Sequence, residues 1–173
     1  GIYAQSYRLL DASNMIAYLF SGLLLPMFSQ MIKKKQPLEE LVELSFSFIA
    51  IPAITVISFC FFFSQDIMGL LYHAHVVESA AVFRLIMSCF LAISSVYIFG
   101  TLLTANGNLK YLNLVAMSGM IMNIALNLIL IPKMQSLGAA TASMTTQFIT
   151  AGLQIWLAHR VFHFKFQWNL GLR

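Results

Sequence analysis

Five stretches of this chain carry no charged residue, and each is long enough to cross a bilayer. They are Ala12 to Ile32, Leu44 to Gln65, Leu85 to Leu109, Tyr111 to Pro132 and Met134 to Ala158. A hydrocarbon core of ~30 Å is crossed by ~20 apolar residues rising ~1.5 Å each. Lipid offers the backbone no hydrogen-bond partner, so a crossing chain must be helical or form a closed β-barrel. Barrel strands are ~10-residue segments alternating apolar and polar positions, and the sequence has no such pattern. The expected fold class is all-α. The chain is read as a polytopic membrane helical bundle of about five transmembrane helices, with spans near 9–32, 42–65, 83–105, 111–132 and 137–159.

Composition agrees with that reading. Hydrophobic residues make up 60% of the chain and charged residues 9%, against about 25% charged in a typical soluble domain. The net charge of +4 comes from basic residues in the connections, which reports orientation in a membrane and gives no reason to expect nucleic acid. Lys33, Lys34, Lys35, Lys110, Arg160, Lys165 and Arg173 fall on the side reached after the first span, and Arg8, Arg84 and Lys133 on the other. The positive-inside rule then makes the loop 33–40 and the tail 160–173 cytoplasmic. Cys60 and Cys89 lie inside apolar spans and read as small hydrophobes. There is no P-loop, Gly-rich phosphate cradle or nucleophile–base constellation. Catalysis and a bound cofactor are therefore not expected. His73-Ala74-His75 lacks neighbouring carboxylates or cysteines and reads as a solvated loop rather than a metal site.

Local signals order the chain. The lysine cluster 33–35 suits a helix C-terminus, and Pro37 with Glu39, Glu40 and Glu43 suits the start of the next helix. The apolar piece Ile67 to Tyr72 is expected to lie along the opposite membrane surface. Ala105-Asn106-Gly107-Asn108 is a turn signal, and Pro132 is expected to stop the fourth span. Gly138 with Ala142, and Ala139 with Ser143, are small pairs four apart that let membrane helices approach closely. Phe162, Phe164, Lys165, Phe166, Trp168 and Arg173 make a basic, aromatic tail suited to the headgroup zone. The chain opens at Gly1 in mid-pattern, and five helices make a thin bundle for a transporter, so a piece of a longer protein is expected.

The first span also carries the candidate site. At about 100° per residue, Tyr3, Tyr7, Asp11, Asn14 and Tyr18 share one face, with Arg8 beside Asp11. Such a stripe cannot face lipid and must turn to other helices or to a watery cavity. Arg8 is either a site residue for an anion or an anchor reaching for the headgroups. Asp11 either pairs with Arg8 or carries a proton or sodium ion. The tyrosines either stack on sugars or belong to the interface belt, the plainer reading for Tyr3. For Asn123, Asn127, Gln147 and Gln154 the plainer reading is hydrogen bonding between helices. Arg84 reads as an anchor at the outer surface.

Three phrases carry a family resemblance: Gly1 to Ser29 (GIYAQSYRLLDASNMIAYLFSGLLLPMFS), Phe99 to Asn113 (FGTLLTANGNLKYLN) and Asn127 to Ser143 (NLILIPKMQSLGAATAS). In their order and spacing they resemble the C-terminal lobe of polysaccharide exporters and oligosaccharide flippases, of the multidrug/oligosaccharidyl-lipid/polysaccharide exporter superfamily. The resemblance implies that residues 1–173 are a partial C-terminal lobe of a two-lobe transporter in the bacterial inner membrane. Alternating access around a central cavity would flip an undecaprenyl-pyrophosphate-linked sugar. It also implies that Arg8, in Ser6-Tyr7-Arg8-Leu9, faces that cavity and binds the pyrophosphate. Asp11, Tyr7, Asn14 and Tyr18 join it as expected substrate-binding residues. Expected partners are membrane lipid, the N-terminal lobe, and glycosyltransferase or polymerase machinery. The rival expectations are a cation-coupled multidrug exporter of the same fold and a non-transporting scaffold of a polysaccharide synthase complex.

Overall fold

The computed structural model describes residues 2–72 and 75–164. His73 of the expected loop, and Lys165, Phe166, Trp168 and Arg173 of the expected tail, lie outside the described residues. The described residues form helices joined by short connections, in the order α1 (Ile2–Lys33), α2 (Glu39–Phe62), α3 (Ser64–Leu71), α4 (Val76–Ala105) and α5 (Leu109–Phe162). In α1 the membrane-length apolar part is Ser6–Lys33, and α2, α4 and α5 are likewise long and apolar enough to cross a membrane.

The 54-residue α5 is two helices in one. Gln135 leaves helical geometry, with φ 48° and ψ −124°, and the chain folds back there. The registry of side chains proves the reversal. Asn123 Nδ2 donates to Thr146 Oγ1 at 3.4 Å, and a Cβ at Gly119 would stand 2.7 Å from Thr150 Oγ1. A Cβ at Gly138 would run into the carbonyl of Leu130. Partners thus converge on the break from both sides, the signature of an antiparallel hairpin. Its arms, 109–134 and 136–162, each exceed the ~20 residues a crossing needs. Helix therefore continues past Pro132, and the reversal falls at Gln135 rather than at the proline.

Helix directions follow from similar pairs. Phe46 meets Phe99 with ring centroids 6.0 Å apart, and the Arg84 guanidinium lies 5.2 Å above the Phe61 ring, so α2 and α4 run antiparallel. Phe20 stacks on Phe48 at 5.3 Å, which sets α1 against α2. Tyr3 bonds Ser143 through its hydroxyl at 2.9 Å, and Tyr18 meets Tyr97 edge-on at 5.9 Å. Tyr7 and Leu10 share one cavity with Ile86, Cys89 and Ser143, while Tyr18 sits with Tyr97 and Gly100 lies against Gln154, so α1, α4 and the second arm of α5 run parallel. This alternation is what successive crossings of one bilayer require.

α4 is the hub, packing against α1, α2, α3 and α5. It is buried nearly all round, through Val82, Phe83, Ile86, Met87, Phe90, Ile98, Phe99, Leu102 and Leu103, as expected of a helix without a polar face. The outer faces are the reverse of a soluble protein. Leu19, Leu23, Phe48, Ile51, Phe62, Leu128, Ile129 and Trp156 are all exposed, a continuous apolar surface that water would penalise and lipid would not. Half-buried Arg84 is more than a surface anchor. Its Nε donates to Ser64 Oγ at 2.6 Å, fastening the start of α3 to α4.

Two outcomes test this packing. Gly138→Ala forces the hairpin arms apart, because the new methyl meets backbone rather than a movable side chain. It is expected to cost about 1–3 kcal/mol in detergent unfolding, whereas Gly152→Ala, with nothing within 4 Å, costs nothing and is expected to gain up to about 1 kcal/mol of helix propensity. Arg84→Ala breaks a charge-assisted bond and is expected to cost about 1.5–3 kcal/mol in the same titration, with Ser64→Ala adding little once Arg84 is gone.

Candidate functional site

The stripe on α1 is a real surface, and α4 and α5 close a groove over it. Tyr7, Asp11, Asn14 and Tyr18 form one wall, with Tyr97 of α4 and Gln147 of α5 opposite. The space between them is about 520 Å³. Helical spacing of three and four residues puts the α1 side chains on one line. The parallel packing of α1 on α4 then brings Tyr97 against Tyr18, with the rings inclined at 66°. Tyr7 stacks on Tyr3 at 5.7 Å and 25°.

Arg8 is not part of the groove. It is exposed, as is Asp11, but only Asp11 lines the cavity. The two make no ion pair; among the described residues the ion pair observed is that of His75 with Glu78, at 3.4 Å. A three-residue step turns a helix by about 60° short of a full circle, and here that is enough to set the carboxylate on the groove side and the guanidinium beyond it. Four of the five expected site residues are thus brought together and the fifth stands apart. The groove walls carry one carboxylate and no cationic side chain.

A second, more enclosed cavity of about 410 Å³ lies next to the groove, between α1, α4 and both arms of α5. Tyr7 and Gln147 belong to both. Its polar wall comes mainly from α5: Asn123, Ser143, Thr146, Gln147 and Thr150. Asn127 Nδ2 donates to Asn123 Oδ1 at 2.9 Å, and Asn123 in turn bridges the arms to Thr146. Asn123 thus joins two helices as expected, whereas Asn127 bonds within its own arm. Tyr3 leaves the expected interface belt, turning inward to Ser143. Two amides remain unsatisfied. Asn14 Oδ1, beside the groove, and the buried Gln154 Oε1, against Gly100, have no hydrogen-bond partner.

Tyr97 and the site role of Gln147 were missed by sequence reasoning. Tyr97 sits in a helix buried all round, so no periodic stripe singles it out. Gln147 had a usable signal. Ser143, Gln147 and Thr150 recur at steps of four and three, the same spacing that exposed the α1 stripe.

The groove offers flat aromatic faces, amides that donate and accept, and a carboxylate that only accepts. That equips it to bind a polar, hydroxyl-rich molecule. Among the described residues no group of three His, Cys, Asp or Glu side chains could hold a metal ion. Comparison of the chain with protein-family models, with curated proteins and with solved structures gives no match.

Proposed function

We propose that this chain forms part of a membrane transporter that flips lipid-linked oligosaccharide for a cell-surface polysaccharide by alternating access. One observation carries the reading: a polar groove of Tyr7, Asp11, Asn14, Tyr18, Tyr97 and Gln147 opens on the flank of a bundle whose membrane-length helices expose many large apolar side chains. Polar groups at membrane depth belong in a protein-lined or watery path. A second lobe facing this flank would complete that path, and rocking of one lobe against the other would expose it to each side in turn. The apolar outer faces leave room for the polyprenyl tail to stay in the bilayer while the sugar crosses.

In this reading the loop 33–40 is cytoplasmic, the membrane is the bacterial inner membrane, and Arg8 lies in the outer half of the path. Its guanidinium is exposed and not paired with Asp11. A planar fork of donors suits a pyrophosphate better than an ammonium does. Glycosyltransferases and a polymerase would supply and consume the substrate.

A second reading draws on Asp11. A groove carboxylate without a paired arginine is what a cation-coupled multidrug exporter of this architecture needs. Drug resistance on overexpression, with surface polysaccharide unaffected by deletion, would favour it.

The direct test is Arg8→Ala and Arg8→Lys in the protein as it occurs in the cell, with surface polysaccharide as readout. Loss of charge-assisted bonds to phosphate, worth about 1.5–3 kcal/mol, is expected to lower export about ten- to hundredfold. Lysine should restore part of it. Normal export from the alanine variant at normal protein level would remove Arg8 from the mechanism.

A further inference from the structure

We infer that the groove between α1 and α4 reads the glycan and not the phosphate, and that it selects uncharged or amine-bearing sugar units over acidic ones. The inference deepens the transport reading and rests on it for the ligand being a glycan.

Three features of the walls lead there. The first is aromatic. Tyr7, Tyr18 and Tyr97 all border one space. Tyr7 stacks on Tyr3, which lines the neighbouring cavity and not the groove. A pyranose presents an apolar face of axial C–H bonds, and an aromatic ring is the side chain that matches it while its hydroxyl serves the sugar rim.

The second is the set of hydrogen-bonding groups. Asp11, Asn14 and Gln147 supply a carboxylate and two amides. A hydroxyl donates to an amide oxygen and a carboxylate alike. At about 520 Å³ the space falls within the ~300–1,000 Å³ of small-ligand sites.

The third is charge. Among the described residues the only ionisable group in the walls besides the phenols is the Asp11 carboxylate, and Arg8 lies off the groove. An anion entering here meets like charge and no cation in the walls, whereas a hydroxyl or an ammonium meets an acceptor. Phosphate and uronate are both disfavoured at this position, which leaves the pyrophosphate to Arg8.

The test is binding by the purified protein as it occurs in the cell, in lipid nanodiscs at low salt, followed by saturation-transfer NMR. The probes are chitotriose, its de-N-acetylated glucosamine trimer and trigalacturonate. The neutral and amine-bearing trimers are expected to bind at least about tenfold more tightly than trigalacturonate, a gap of about 1.4 kcal/mol. Asp11→Asn should close the gap to within about twofold by relieving the repulsion of trigalacturonate. Tyr97→Ala and Gln147→Ala should each weaken chitotriose about tenfold, with Tyr97→Phe keeping most of the stacking contribution. Trigalacturonate binding as tightly as chitotriose, or no binding of any trimer, overturns the inference. So does a gap unchanged in a folded Asp11→Asn variant. Where a variant fails to fold, the three probes on the unaltered chain decide alone. Cellular export separates the two claims. Acid-preferring binding with export intact sinks the selectivity and leaves transport standing, while neutral preference in a chain dispensable for export does the reverse.

Discussion

The constraint on which this structure depends is that polar groups on membrane-spanning helices cannot look to lipid for hydrogen bonds. Several of the hydroxyls solve the problem within their own helix. Ser13, Thr55, Ser88, Ser95, Thr104 and Thr141 each donate to the carbonyl four residues back, at 2.7 to 3.1 Å. Ser21 and Ser118 donate to the carbonyl three back. Such back-bonding hides a hydroxyl at the cost of a slight weakening or bend of the helix. Longer side chains have no such option. Tyr, Asn, Gln and Asp hold their polar atoms away from the backbone and need a partner helix or a cavity. Tyr3, Asn123 and Asn127 find partners. Tyr7, Asp11, Asn14 and Gln147 gather instead around open space.

The same solvent changes what holds the helices together. With lipid as apolar as leucine, association relies on close packing and on the few polar bridges rather than on burial from water. The hairpin of α5 shows both. Gly119 and Gly138 let the arms approach to distances no side chain would permit, and the Asn123 to Thr146 bridge sits between them. Around α4 the contacts are of the other kind, large apolar side chains interlocked on every face. The hub therefore fixes where α1 stands, and the position of α1 decides that its polar stripe meets Tyr97 and not a wall of leucines.

Much of this was legible in the chain itself, because charge is so unevenly distributed along it. The absence of charge over helix-length runs dictates an all-α bundle, and the α1 stripe is plain because one helix face differs from the other. α4 gives no such contrast. A helix buried all round has no polar side to mark direction, so Tyr97 is indistinguishable from its neighbours until the fold brings Tyr18 to it. The reversal in α5 was legible as small residues and Pro132, yet its position was not. The chain turns where Gln135 takes a positive φ, three residues past the proline. Arg8 and Asp11 fail differently. Spacing makes them neighbours along a helix, but it cannot say that a groove lies to one side of only one of them.

That last separation has a consequence for any ligand the bundle handles. Had Arg8 and Asp11 paired, each would have cancelled the other's field, leaving a locally neutral patch. Kept apart on one helix, they give adjacent surfaces of opposite preference, a cation beyond the groove and a carboxylate within it. A simple anion gains at the first and loses at the second, and a simple cation does the opposite. A molecule with an anionic joint between an apolar tail and a hydroxyl-rich head suffers neither penalty, provided the joint stays at Arg8 and the head enters among the tyrosines. On the proposed transport reading, the geometry of α1 thus acts as a register mark as well as a binding surface. It favours the one placement of a lipid-linked sugar in which charge, ring faces and apolar surface are all matched at once.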